Sequence, residues 1–288
     1  MTVAANRLIG AAADVARLHL PADPILLSGS NLNGASTKSV QFGFPATDLP
    51  AARRDEFKAD FSRDLARVEQ WMADRIWSAM ASPALRVVVS DRFRISKSLV
   101  PAWSGQAGEM QFPTWRVAAR KAAIAHELVH VFLPNGNRLL AEGLAVYLQA
   151  EIGGNPAFPN FGRPLHDLVR ELAPKMVAEF RFGNPASLEG IHFTDLDAIA
   201  TPSPLTLKIG NDVFGEEPRG QAHIYPLAGS FVQHLVETRG IEAFRGLYAL
   251  TPLVPLHRDA GVAGRWVEIY GLPLQSLEVE WRSMIAGR

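Results

Sequence analysis

Apolar residues recur at helical spacing through most of the chain and at strand spacing only in short stretches of its first half. The clearest stripe is Phe57, Phe61, Leu65, Val68, Met72, Ile76 and Met80, stepping by three and four, which predicts a helix over 51–81 with one buried face. Asp48, ahead of Leu49 and Pro50, fits an N-cap followed by a proline near the first turn. An earlier helix is expected over 3–19, then a Pro/Gly-broken stretch holding short strands at 25–27 and 39–44. Pro83 closes the long helix, and the continuous β-branched run 84–90 reads as a buried strand. Weaker strands at 99–103 and 109–112 lie either side of Ser104 and Gly105. Thr114 is expected to cap a helix reaching 133, which Pro134, Asn135 and Gly136 end, and another helix covers 138–152 up to Gly153 and Gly154.

Residues 153–164 are loop-forming, and beyond them the pattern turns mainly helical, most clearly at 224–238, 241–250, 262–270 and 274–285. The expected organisation is an α+β unit over 1–155, including an N-terminal extension 1–50, followed by a helical unit over 156–288. With 29 basic and 29 acidic side chains and no long basic run, the chain carries no electrostatic footprint for nucleic acid or an anionic membrane. The absence of cysteine excludes disulfides, thiolate nucleophiles and Cys-based metal sites. No stretch approaches the roughly 20 apolar residues of a membrane span. Arg7, Asp14 and Arg17 interrupt any signal-peptide core, which leaves a cytoplasmic and an exported location both open.

The chemistry is concentrated in one pentapeptide, His126-Glu127-Leu128-Val129-His130. On a helix, residues four apart share a face, so the two imidazoles can converge on one ion while Glu127 sits about 100° around the axis. The flanking Ile124, Ala125, Val131 and Phe132 are apolar, so this polar triple lies within a core helix, where buried polar groups need partners. Glu142 follows twelve residues after His130, across a five-residue turn short enough to fold the next helix back antiparallel. Two histidines, one glutamate and a water form a catalytic zinc set with one open position. The expected ligands of one zinc per chain are therefore His126, His130 and Glu142, with Glu127 as general base.

The segments HELVHVF and RLLAEGLAVYLQ resemble the gluzincin branch of the zincin metallopeptidases, in particular a mostly bacterial, peptidase-MA-like group. The similarity extends to the run Tyr225 to Leu235, to Arg239 through Phe244, and to Leu277 through Trp281. It implies a thermolysin-like catalytic domain with a small mixed sheet, closed by a helical domain, and hydrolysis of peptide bonds. It also implies a second oxyanion donor from the helical half, for which Tyr225 is the candidate and His223 the alternative. Substrate backbone in this branch pairs with an edge strand before the motif helix, which points to Glu109, Met110 and Gln111.

Two departures qualify the resemblance, and one rival branch is excluded. Gln111 and Phe112 replace the Glu and Asn of the aminopeptidase GxMEN signature, which weakens an exopeptidase reading. Val146 stands where thermolysin-like members carry an Asp behind a zinc histidine, leaving a carbonyl, Asp195 or Asp197 for that role. Leu133 and Gly136 exclude the metzincin pattern. Two alternatives stand beside the peptidase: a zinc amidohydrolase of narrow small-peptide specificity, and a metal-binding pseudo-peptidase acting as a binding protein, against which the intact Glu127 argues. His166 is a candidate cleft residue, Trp103 a candidate substrate contact, and the remaining histidines read as ordinary surface or core residues.

Overall fold

A computed structural model describes residues 39–45, 47–75, 77, 84–99, 108–179, 184–189, 191–193, 207–209, 212–214, 218–251 and 264–287; for 207–209, 212–214 and 218–223 it describes the backbone. The expected helix at 3–19, the strand at 25–27, Trp103, Asp195 and Asp197 lie outside these residues. The architecture is α+β. Strands β1 (Val40–Gly43), β2 (Leu85–Ser90), β3 (Lys97–Leu99) and β4 (Glu109–Pro113) form a small mixed sheet in the order β1-β2-β4-β3. The first three in that order run parallel, and β3 pairs antiparallel with β4 along the outer edge. Alternation along the strands buries Val87, Val89, Met110 and Phe112 on one face. The opposite face carries an ion pair between Arg86 and Glu109 at 3.2 Å, and Gln111 donates to Glu109 at 2.8 Å.

Helix α1 (Ala51–Asp74) covers the buried face, and the predicted stripe of Phe57, Phe61, Leu65, Val68 and Met72 is buried. Phe57 meets Phe112 edge-on with ring centroids 5.5 Å apart. The helix ends at Asp74 with Arg75 as its C-cap, short of the expected 81, and Pro50 rather than Asp48 holds the N-cap position. Asp60 and Asp64 are buried within this helix, interrupting its apolar face. Asp64 accepts the backbone N–H of Gly154 at 3.0 Å, while Arg67 donates to the carbonyl of Ile152 at 3.1 Å. Together they clasp the C-terminal end of α4 (Arg138–Ile152) to α1.

Burial pushes the Asp64 carboxyl up to about 6, against the opposing pull of Gly154, Arg63 and Arg67. Its folded value lies above the unfolded one, so the folded protein binds this proton more tightly. The associated stability is fully present below about pH 4 and is lost as pH rises through about 6. Asp64→Asn is therefore expected to gain on the wild type across that window, by up to about 3 kcal/mol. Melting curves of both proteins from pH 4 to 7 check this, and a constant difference between them would contradict it.

Residues 114–133 do not form the single expected helix. They divide into α2 (Thr114–Ala118) and α3 (Ile124–Phe132). Arg120 adopts φ 54°, Lys121 N–H donates to the Arg116 carbonyl at 2.8 Å, and Arg120 N–H donates to the Val117 carbonyl at 3.1 Å. This is a Schellman turn, a helix ending that helix-forming composition alone does not reveal. The Arg120 guanidinium is held by Asp60 at 3.0 Å, so the left-handed residue is anchored to α1. Thr114 does not cap α2; its hydroxyl bonds that of Thr47 at 2.9 Å.

In the second half, α5 (Leu165–Glu179), α6 (Pro218–Arg239), α7 (Ile241–Leu250), α8 (Gly264–Tyr270) and α9 (Leu274–Ile285) match the expected helical character. A three-stranded antiparallel sheet of β5 (Ile191–His192), β6 (Leu207–Ile209) and β7 (Asp212–Phe214) was not expected there. Strands of two or three residues are too short to display a period. One continuous cluster of buried apolar side chains runs from Phe57 on α1 through Leu144 on α4 to Phe231 on α6 and Trp281 on α9. Among the described residues no helix is long and apolar enough to cross a membrane.

Candidate metal centre

Helix α3 is almost wholly buried, and only His130 of its nine residues is partly open. His126 and His130 lie one turn apart, their Nε2 atoms separated by 3.0 Å. Glu142, in the second turn of α4, brings Oε2 to 3.3 Å from the first imidazole and 3.4 Å from the second. A tetrahedral ion with bonds of about 2.0–2.1 Å separates its ligand atoms by about 3.3–3.4 Å, so this triangle matches one face of such a shell. His126 and Glu142 retain only 8% and 2% exposure, and Glu142 Oε2 has no hydrogen-bond donor among the described residues. Three lone-pair atoms converging in a buried place fit a divalent cation, and the nitrogen, nitrogen and carboxylate set suits zinc.

Glu142 is prepared for that role by its own helix. Burial works to raise its carboxyl pKa, but Arg138, His130 and the closeness of both imidazoles hold it well below the usual carboxylate range. Arg138, one turn earlier, grips the other carboxylate oxygen at 2.7 Å. The turn that carries Glu142 to the histidines is fixed from both sides. Asn137 caps α4 by accepting from Leu140 N–H at 3.2 Å, and Asn135 accepts from Asn137 N–H at 2.9 Å. Tyr248 on α7 donates to the Leu133 carbonyl at 2.6 Å and accepts from Asn135 through its own carbonyl at 3.1 Å.

At the other end, α3 has no side-chain cap of its own. Gln149 on α4 instead accepts the His126 N–H at 3.2 Å and donates to the Asn155 carbonyl at 3.2 Å, tying both helices and the following loop together. Helix α6 approaches α4 where both carry glycine. A Cβ at Gly143 would lie 2.9 Å from the Ala228 carbonyl oxygen, and one at Gly229 would collide with Val146. This close contact sets Tyr225 beside the site, its ring stacked on His126 at 6.2 Å between centroids and interplanar angle 22°.

Glu127 is 4% exposed and accepts from the Ser98 hydroxyl at 2.6 Å; the same hydroxyl lies 3.0 Å from the Glu127 carbonyl. Burial pushes the Glu127 carboxyl up, opposed by His126 and by the Ser98 bond. Ser98 belongs to β3, which corrects one expectation. Glu109, Met110 and Gln111 are not on an edge: β4 pairs with β2 on one side and β3 on the other. Met110 is fully buried, and Glu109 and Gln111 bond each other. Among the described residues the edge strand at the site is β3, which shares Leu99 with the weak strand read at 99–103; residues 100–103 lie outside the described residues.

The side chain of His223 lies outside the described residues. His166 is not among the converging groups; it bonds the Ser230 hydroxyl at 2.9 Å and Glu237 at 3.1 Å. His126 Nδ1 meets no hydrogen-bond acceptor among the described residues, and Val146 supplies none. Ser98, Gln149 and Tyr248 carried no local signal; Arg138, four residues before Glu142 on one helix, did. No family model, curated protein or solved structure matches the chain.

Proposed function

We propose that this chain is a zinc-dependent peptidase of gluzincin type with a thermolysin-like arrangement of ligands. The observation that carries the reading is the triangle of His126 Nε2, His130 Nε2 and Glu142 Oε2, with edges of 3.0, 3.3 and 3.4 Å, beside a buried non-ligating glutamate. A zinc ion held there would bring the pKa of a coordinated water toward neutrality and polarise the scissile carbonyl. Glu127, oriented by Ser98, accepts a proton from the attacking water and delivers it to the leaving amine. Among the described residues β3 is the outer strand of the sheet, and its outer edge receives the substrate backbone as an added strand. Tyr225 supplies a phenol donor to the developing oxyanion, which its stacking on His126 supports.

Metal content by mass spectrometry, with hydrolysis of a mixed peptide library, tests this reading. Purified wild type is expected to carry one zinc per chain, to lose hydrolysis with a chelator and to regain it with added zinc. Failure to take up zinc after reconstitution would reduce the motif to a coincidence of helix composition. Tyr225→Phe is expected to lower turnover by about 10²–10³ with zinc retained, as loss of an oxyanion donor does. Unchanged turnover would pass that role to His223.

A further inference from the structure

Arg116 is a half-buried cation close to the site that the hydrolytic scheme does not use. Burial lowers its pKa, and the negative charge of Glu127 offsets this. Its guanidinium carbon stands 5.2 Å from the Trp115 ring centre and 6.0 Å from that of Phe158. Among the described residues its hydrogen bonding is limited to a long contact with the Ser96 hydroxyl, 3.3 Å from Nη1. Among the described residues no carboxylate lies within ion-pair distance of it. A guanidinium placed over aromatic rings can still present N–H donors to a planar oxyanion.

Two paths connect this cation to the metal ligands. Phe158 also packs on Tyr225, with centroids 6.0 Å apart, and Tyr225 stacks on His126, so one aromatic wall runs from the ligands to Arg116. Ser96, immediately before β3, touches Arg116, and Ser98 within β3 touches Glu127. Positions two apart on an extended chain share a side and lie about 7 Å apart. A peptide laid along β3 with its scissile bond near Glu127 therefore brings a group one or two residues away to Arg116.

We propose that Arg116 recognises a carboxylate of the substrate, one or two residues from the scissile bond, and so restricts this site to acidic peptides or peptides with a nearby free C-terminus. The inference rests on the peptidase reading for its substrate class. Arg116 binds and positions; it takes no part in the proton transfers assigned to Glu127.

Calorimetric titration of zinc-loaded Glu127→Gln protein, in which binding is seen without turnover, tests the proposal. The probes are Ac-Phe-Gly-Phe as free acid and as amide, and Ac-Phe-Gly-Glu-amide against Ac-Phe-Gly-Gln-amide. At least one carboxylate is expected to bind roughly ten- to hundredfold tighter than its neutral partner, the worth of a charge-assisted hydrogen-bond pair. The first pair isolates a chain terminus and the second an acidic side chain. In Arg116→Met the preference is expected to vanish, and in Arg116→Lys, which keeps charge but loses the fork, to be partly retained, with zinc content and melting temperature unchanged in both.

The proposal is overturned if neither pair shows a preference. It is equally overturned if a preference survives in Arg116→Met and disappears only when zinc is removed, because the metal would then be the carboxylate site. Carboxylate preference without hydrolysis by the wild type would remove the peptidase reading and leave Arg116 as a binding residue. Hydrolysis without preference would do the reverse.

Discussion

Replacing Glu127 with glutamine is expected to lower peptide hydrolysis by about 10²–10⁴ while zinc stays at one per chain. The side chains are nearly isosteric, and the glutamine carbonyl can still accept the Ser98 hydroxyl that lies 2.6 Å from the native carboxylate. The proton acceptor is what disappears. Glu127 does not touch the two imidazoles through its own ligand position, so metal uptake has no reason to change. Stability is expected to hold or rise, because the carboxylate is almost fully buried and burial works against its charge. Steady-state rates, zinc content and melting temperature measured on one preparation separate these effects. Full activity in the glutamine variant would remove Glu127 from the chemistry and the hydrolase scheme with it.

The second large effect is expected at Glu142. Alanine there deletes the only carboxylate in the converging group and strips Arg138 of the partner it holds at 2.7 Å. Loss of a group behind a metal ligand costs 10–100-fold in affinity, so loss of a ligand should exceed that and leave the purified variant close to zinc-free. Removing one side of a buried charge pair also destabilises, by about 3–5 kcal/mol. Glu142→Gln separates the two consequences: it keeps the volume and an acceptor for Arg138 but presents a neutral amide to the imidazoles. It should fold nearly as well as the wild type and still bind zinc poorly. Zinc retained at one per chain in both variants would exclude Glu142 as a ligand.

These expectations rest on groups of very different legibility. His126 and His130 are readable because a helix converts a spacing of four into a shared face, and that rule needs nothing from the rest of the molecule. Glu142 is nearly as accessible, since a five-residue turn leaves the next helix little choice but to double back. The amphipathic stripe of α1 and the limits of α4, α7 and α9 follow from the same short-range logic.

The break between α2 and α3 was not legible in this way. Residues 114–133 hold no glycine or proline to end a helix, and what stops it is a left-handed Arg120 tied to Asp60, 60 residues away. The edge strand was misplaced for a related reason. Three residues of β3 and five of β4 give little period, and which of two short strands lies outside is decided by pairing, not by composition. With the edge moved to β3, the substrate strand and the hydroxyl that holds Glu127 become the same element.

By itself the sequence determined the local chemistry: a helix presenting two imidazoles on one side, a carboxylate returning on the next helix, and a glutamate beside them with no ligand's place to fill. The tertiary structure decided what surrounds that core. Ser98 reaches Glu127 across 29 residues, Gln149 caps the His126 turn across 23, and Tyr248 pins the inter-helix turn across 115. Hydrogen bonds and ring contacts at such separations depend on how elements pack rather than on any spacing along the chain. The close approach of α4 and α6 that seats Tyr225 is of the same kind: Gly143 faces the Ala228 carbonyl and Gly229 the Val146 side chain, and a Cβ at either would clash.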